Sequence, residues 1–467
     1  MIMRFVQRLR FVFRALSVED ERNLAFILGN HVGQVAALRG KRPYGGVFFR
    51  VCIFFFFLAR NISLNIRPIP QARFFFYSDT HNQRTALRTT IKALPRDSSL
   101  AAYSPGLKAE QAEFREMSVA FSLSDVLIAL MTFVIRAPRL YIKLKVTHPA
   151  ATKNFFNFFC MSYIYIPYFF RVLKAVNCGY VIQSNDHNVV NRSLRLVAEM
   201  LGLKNVYMQH ASVSALFPPL QFDHAFLDGL ASFNVYHGCS RTLDDGVTTL
   251  KTGSIYLSGQ KKEVHEFSGG HERKYLALAV NALDTADRVI DFLKVIEPLN
   301  IDVCIRMHPA QSDIFARKIE TFSSGKRWLS THRSKDRSLV DFFRAAYFLV
   351  AADSSIHLEA AIFGLCTYYC EFSSVEIPDY YGYLNSGLVS LFPFDSLSNG
   401  EVSIFSLADA NPNIQAIQFY SSTFGTVWQG REGELVANCL LQIDAGETID
   451  NLFSLCLEFE GKVYRPR

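Results

Sequence analysis

From Ala72 onward, short apolar runs alternate with polar breaks and with stretches whose apolar residues recur at helical spacing. ARFFFYSDTHNQRTALRTTIKAL reads as strand, loop and helix, in that order. Tyr180-Val-Ile-Gln183 is a short buried strand, Ser184-Asn-Asp-His-Asn188 a polar loop, and Val189 to Leu201 a helix stopped by Gly202. Asn205-Val-Tyr-Met208 is the next strand and ends at Gln209-His210. The alternation begins again at Tyr275. KYLALAV is a strand, Asp284 to Val295 a helix, Ile301 to Ile305 a strand and Ser338 to Ala346 a helix. Tyr347 to Ala351, Ser355 to Phe363 and Cys366 to Cys370 follow as strand, helix and strand. Strands alternating with helices at this spacing predict parallel, doubly wound sheets, whose ligands bind beyond the carboxyl ends of the strands.

The flanking segments carry a different pattern. Residues 1–70 read as a helical N-terminal extension, Ser98 to Met117 as a loop and surface helix, and Ser124 to Tyr168 as two or three helices. The polar stretch Lys261–Lys274, with Gly269-Gly270, reads as a linker. Ile414 to Gln442 ends in a long amphipathic helix expected to cross back to the first domain. The expected division is therefore an extension (1–70), an N-terminal Rossmann-like domain (71–260), a C-terminal one (261–413) and terminal helices (414–467). The fold class is α/β, with two Rossmann-like domains facing a cleft. The run from Val47 to Ala59 is very apolar but contains Arg50 and is too short for a spanning helix, which needs about 20 residues. It is either a buried helix or strand pair, or an interfacial helix. In favour of the second, Arg4, Arg8, Arg10 and Arg14 alternate with Phe5, Leu9, Phe11 and Phe13. The expectation is a cytoplasmic protein that touches the inner membrane through its basic N-terminus.

Composition narrows the partners. A formal net charge of +7 suits an anionic substrate or surface. No Lys/Arg run tracks a phosphate backbone and no zinc-finger or RNP pattern occurs, which argues against nucleic acid. The nine cysteines are scattered without a CxxC and read as free thiols of a reducing compartment. Cys366 and Cys370 lack a second ligand pair, so no metal is expected.

Four places carry candidate chemistry. Asp353-Ser354-Ser355 joins a buried strand to a helix, where free N–H groups and two hydroxyls suit a phosphate; capping alone also explains a serine there. Glu359, one turn on, is placed to accept from ribose hydroxyls. Arg306-Met-His308-Pro309 follows the preceding strand, where a cation and an imidazole can neutralise a leaving phosphate; His-Pro is otherwise an ordinary turn. In the first domain, Gln209-His210 ends a strand, and Gln221 and Asp223 precede another. Asp223 is a candidate nucleophile or base, whereas Asp228-Gly229 reads as a tight turn. Asp186 is a candidate base for an acceptor hydroxyl, or a loop carboxylate satisfied by backbone N–H groups.

His308-Pro309 and Ser354-Ser355 resemble the HP and S/T motifs of bacterial transferases that use CMP-activated sugars. These include sialyltransferases and the CDP-glycerol glycerophosphotransferases. Gln221-Phe-Asp223-His-Ala-Phe-Leu-Asp-Gly229 also fits a QxDxxxxxG pattern that resembles the retaining β-Kdo transferases of capsule and O-antigen assembly. The likeness runs from about Ala72 to Gly364, by order of motifs more than by identity. It implies a GT-B fold, a CMP-β-Kdo donor, a polysaccharide or glycolipid acceptor, and no separate cofactor. It also implies a covalent glycosyl adduct on Asp223, with Gln221, Asp186 and His210 around the reaction. Arg306, His308, Pro309, Asp353, Ser354, Ser355 and Glu359 would hold the donor. Three alternatives stand beside it: an inverting sialyl- or polyol-phosphate transferase using His210 or Asp186 as base, a non-catalytic scaffold of polysaccharide assembly, and a UDP-GlcNAc 2-epimerase.

Overall fold

The computed structural model describes residues 2–26, 28, 45–65, 67–107, 114–239, 253–259, 273–373, 379–458 and 461–467. Three helices open the chain: α1 (Ile2–Val18), α2 (Glu21–Leu24) and α3 (Val47–Arg60). Then come β1 (Phe74–Ser78), α4 (His81–Ala93), β2 (Ser99–Tyr103) and β3 (Glu116–Ser118). A helical block follows: α5 (Leu123–Thr147), α6 (Pro149–Cys160) and α7 (Ser162–Val176). Next are β4 (Tyr180–Gln183), α8 (Val189–Met200), β5 (Lys204–Met208), β6 (His224–Leu227), α9 (Leu230–Cys239) and β7 (Ser254–Leu257). The second series is β8 (Tyr275–Val280), α10 (Ala286–Ile296), β9 (Val303–Met307), α11 (Asp313–Ser323) and β10 (Leu329–Arg333). It continues with α12 (Leu339–Arg344), β11 (Ala346–Ala351), α13 (Ile356–Ile362), β12 (Thr367–Tyr369), β13 (Ser390–Leu391) and α14 (Phe394–Ser398). The chain ends with α15 (Ile414–Tyr420), α16 (Glu432–Ala445), β14 (Phe453–Glu458) and β15 (Lys462–Pro466).

These elements form two compact units, one of Met1–Leu227, Ser232–Lys261 and Arg431–Arg467, the other of Asp228–Ala231 and Lys262–Gly430. The first unit holds a nine-stranded sheet in the order β3-β2-β1-β4-β5-β6-β7-β15-β14, parallel except for the final antiparallel pair. The second holds a parallel six-stranded sheet in the order β10-β9-β8-β11-β12-β13. Numbered within each unit, the first six strands run 3-2-1-4-5-6 in both, which is the Rossmann order. The expected α/β class with two Rossmann-like units, the organisation of GT-B proteins, is thus read directly from strand pairing. β1 and β8 are buried along their whole length, as central strands of parallel sheets covered on both faces must be.

The described part of residues 1–70 packs into the core of the first unit. Val12, Ala15 and Leu16 of α1 and Phe54 and Leu58 of α3 lie in the same apolar core as Phe75, Tyr77 and Val181 of the sheet. Arg8 pairs with the fully buried Asp125 of α5, which also holds Arg171 at 2.9 Å. Just beyond α1, the buried Glu19 pairs with both Arg192 and Arg195 of α8. Arg8 of the basic stripe is therefore taken up inside the first unit, whereas Arg10 and Arg14 of α1 stay exposed.

One other expectation is corrected: the described residues of Ser98 to Met117 supply the buried interior strand β2 and the start of the edge strand β3, where a loop and surface helix were expected. The segment Ile414–Gln442 holds α15 and then α16, with Gly425 and Gly430 at positive φ between them; α16 belongs to the first unit, and a β-hairpin follows it where only helices were expected. α16 packs on α4 so closely that a Cβ on Gly433 would lie 2.6 Å from that of Thr89. β15 then pairs in parallel with β7 and extends the first sheet.

Candidate functional site

In a sheet of this order, connections from the two neighbouring central strands leave to opposite sides, and the gap at their carboxyl ends receives the ligand. In the second unit that point lies between β8 and β11, which are neighbours. Its loops begin at Asn281 and Ala352. The amide Nδ2 of Asn281 donates to the carbonyl of Asp353 at 3.3 Å, bridging the switch point. From the next loop, Gln311 Nε2 donates to the Asn281 carbonyl at 2.7 Å. Three loops that follow β8, β9 and β11 are thus tied into one rim.

The rim is rich in carboxylates. Asp284 is buried; Oδ2 accepts the Asn281 N–H at 2.7 Å and Oδ1 has no hydrogen-bond partner. Burial, reinforced by Glu371, raises its pKa to about 7, against the opposing Asn281 N–H. Asp353 is raised to about 6 by burial and by Asp379 and Glu371, against the N–H groups of Tyr380 and Tyr381. Glu371 accepts from Tyr369 Oη at 2.5 Å and from the Ser373 N–H at 2.7 Å. His308 supplies the opposite polarity. Its Nδ1 accepts the Ala310 N–H at 3.1 Å, which leaves the proton on Nε2, and desolvation lowers its pKa, so it is a neutral donor at pH 7. Such a rim offers acceptors for hydroxyl or amino groups. It admits an anion most readily when Asp284 and Asp353 are protonated.

Arg306 lies in β9, and its guanidinium donates to the carbonyls of Arg337 at 2.7 Å and Ser334 at 3.2 Å, so it anchors the segment before α12. Pro309 follows His308 at an exposed position. Ser354 Oγ accepts the Ile356 N–H at 3.4 Å, a long cap, while Ser355 caps nothing with its side chain. α13 has seven residues, and Glu359 is buried within the unit. His357, whose Nε2 lies 3.0 Å from the Ala352 carbonyl, is buried and pushed down to about 4, so it is a neutral core histidine.

In the first unit the switch point lies between β1 and β4. Asn188 Nδ2 from the loop after β4 donates to Asp79 Oδ2 after β1 at 3.4 Å, bridging it as Asn281 does in the second unit. Desolvation raises the pKa of Asp79. Asp186 is buried and its Oδ1 lies 3.0 Å from His187 Nδ1. Since a carboxylate only accepts, His187 donates from Nδ1, and its Nε2 faces the donating amide of Asn185 at 3.1 Å. The ring packs on Phe217 at 4.3 Å. Gln183, beside Tyr77 and Tyr207 in register, is fully buried with neither amide atom partnered. Gln209 and His210 follow β5 at the same sheet edge.

Asp223 is elsewhere. It precedes β6, next to the start of β5, where Lys204 Nζ binds it at 2.9 Å and the Asn205 N–H donates to its other oxygen at 2.9 Å. That is the amino edge of a parallel sheet, a strand length of roughly 13 Å from the edge that carries Asp186 and His210. Gln221, two residues earlier, approaches the same edge. Strand direction thus places Asp223, the expected nucleophile, at the edge opposite that of Asp186 and His210, and does not bring it together with them. Asp228 stands at the carboxyl end of β6, and Gly229 is required not by a turn but because a Cβ there would meet the Phe419 carbonyl at 2.5 Å.

Asp79, Asn188, Asn281, Asp284, Gln311 and Glu371 had not been singled out in the sequence. Their shared signal is position: each lies within a few residues of the carboxyl end of an apolar strand. Among the described residues no group of His, Cys, Asp and Glu is arranged to hold a metal ion.

No protein-family model matches the chain, and no curated protein does. Solved structures do match along most of its length. A UDP-N-acetylglucosamine 2-epimerase from Listeria monocytogenes covers 81% of this chain and 98% of its own, at 11% identity and a TM-score of 0.49. MurG of Acinetobacter baumannii covers 80% and 100%, at 10% identity and 0.43. The Neisseria meningitidis UDP-GlcNAc 2-epimerase bound to UDP-GlcNAc covers 79% and 99%, at 10% identity and 0.45. At these values the likenesses add nothing to the strand order already described.

Proposed function

We propose that the chain is a glycosyltransferase whose nucleotide-sugar donor is held by the carboxyl-edge loops of the second unit. The observation that carries this reading is the rim itself, in which Asn281 and Gln311 lock three loops around the switch point. The donor class we assign is a CMP-activated sugar, Kdo being the first candidate. That assignment rests on the resemblance of His308-Pro309 and Ser354-Ser355 to the HP and S/T motifs. In this reading His308 Nε2–H donates to the departing phosphate, and Asp284, Asp353 or Glu371 accepts from ribose hydroxyls or the cytosine amine.

For the acceptor, a glycan or glycolipid, we assign the carboxyl edge of the first unit. Asp186 and His187 form a carboxylate–imidazole pair. With Asn185 displaced, His187 Nε2 takes the acceptor hydroxyl proton, and Asp186 stabilises the resulting imidazolium. Direct attack by that hydroxyl inverts the anomeric carbon. The placement of Asp223 favours this route over a covalent Asp223 adduct with retention.

A thermal-shift panel of CMP, CDP, UDP and GDP tests the donor. CMP alone is expected to stabilise the protein, by about 2.7 kcal/mol at a hundredfold excess over Kd. His308→Ala and Asp353→Ala are expected to reduce that shift. Stabilisation by UDP and not CMP would refute the donor class; no shift with any nucleotide would favour a scaffold. The anomeric configuration of product from CMP-β-Kdo, read by NMR, tests inversion.

A further inference from the structure

We propose that α3 and α5 form a surface that binds an anionic lipid bilayer. α5 runs 25 residues, about 37 Å, with its buried side formed by residues such as Ile128, Thr132, Leu140 and Leu144. Its opposite side is apolar as well. Leu127, Met131, Val134, Ile142 and Val146 recur at helical spacing and are exposed, Val134 by 71% and Val146 by 80%. On α3, Phe48 is 82% and Phe56 is 66% exposed. The two helices meet where the Phe55 ring stands edge-on to Phe133 at 5.1 Å, so the exposed side chains beside those rings adjoin one another. Single exposed apolar side chains are ordinary, but a stripe along a whole helix joined to a second helix is the signature of an interaction surface.

Charge selects the partner. α1, α3 and α5 contain one acidic residue, Asp125, which is buried and held by Arg8 and Arg171. Arg136 and Lys143 are taken up by Glu21 and Asp20. Arg10, Arg60, Arg139 and Lys145 remain at the surface, and Arg139 and Lys145 flank Ile142 along α5. Apolar side chains with cations on long stems beside them match the acyl boundary and phosphates of a bilayer. A second copy of the same face would set cation against cation. No helix among the described residues is long and apolar enough to cross a membrane, so contact is by lying on it. This inference does not depend on the donor or the reaction.

The test is co-sedimentation of the full chain with vesicles of phosphatidylcholine alone and of phosphatidylcholine mixed with phosphatidylglycerol. The chain is expected to bind the mixed vesicles and to release at high salt. R139Q/K145Q is expected to weaken binding about fivefold per cation removed, the equivalent of about 1 kcal/mol each. F56S/V134S is expected to abolish sedimentation while the melting temperature holds, because both side chains are exposed. Equal binding to neutral vesicles, or unchanged binding by both variants, would overturn the proposal. So would an absence of vesicle binding together with a dimer, seen by light scattering, that F56S/V134S dissolves; the face would then be a contact between copies.

Discussion

Asp284→Asn is expected to stabilise the second unit above neutral pH and to have little effect near pH 4. Asp284 is 5% exposed, and one of its carboxyl oxygens has no partner. Its pKa is raised from 3.8 to about 7, chiefly by burial. A folded-state pKa above the unfolded one means that between the two values the folded form keeps a proton the unfolded chain has released. The stability carried by that proton is full below about pH 4 and is lost as pH rises through about 7. A displacement of about three units is worth about 4 kcal/mol at about 1.4 kcal/mol each, an upper bound because local relaxation and water entry reduce it. Asparagine keeps the shape and the acceptor for the Asn281 N–H but has no proton to lose. The stability of the variant relative to wild type should therefore climb from pH 4 to pH 7 and then level off. Both tryptophans, Trp328 and Trp428, lie in the second unit, so their fluorescence during urea unfolding reports that unit selectively. In melting experiments each kcal/mol amounts to about 2–4 °C for a unit of this size. A difference between variant and wild type that does not change with pH would refute the reasoning, because Asp284 would then be ionised and satisfied in the fold.

Two further substitutions test the placement of individual carboxylates. Asp223→Asn removes one partner of a part-exposed pair at the amino edge of the first sheet, so it should cost under about 1 kcal/mol and leave transfer within about twofold in a radiolabelled-sugar assay. A nucleophile would lose orders of magnitude. Glu19→Ala strands Arg192 and Arg195, each 6% exposed, without their shared carboxylate and should cost about 3–5 kcal/mol in thermal or urea unfolding. Unchanged stability would show that residues around α1 contribute nothing to the core.

The alternation of apolar strands and amphipathic helices was legible along most of the chain, because hydrophobic period is a local property and both central strands are apolar on each face. β1, β4, β5, β8, β9 and β11 stand close to where the pattern put them. β3 did not, since Glu116–Ser118 is a short, part-exposed edge strand that looks like a loop, and β2, Ser99-Leu-Ala-Ala-Tyr103, is buried inside the sheet but carries little apolar signal. The hairpin after α16 escaped for a related reason: its strands are held by pairing with β7 at the far edge of the sheet. Of the candidate site, His308, Asp353 and Asp186 do lie at carboxyl edges, where residues directly following an apolar run must lie.

What the sequence by itself determined is the class of fold and the set of loops at which chemistry can occur, because strand, loop and helix follow from neighbours a few residues apart. Only the tertiary structure decided which polar residues share an edge. Strand order and direction brought Asn281 to Asp353 and Asn188 to Asp79, turned Arg306 toward the carbonyls of Ser334 and Arg337, and set Asp223 at the opposite edge from Asp186. Those choices rest on pairings between segments tens of residues apart, which no local pattern encodes.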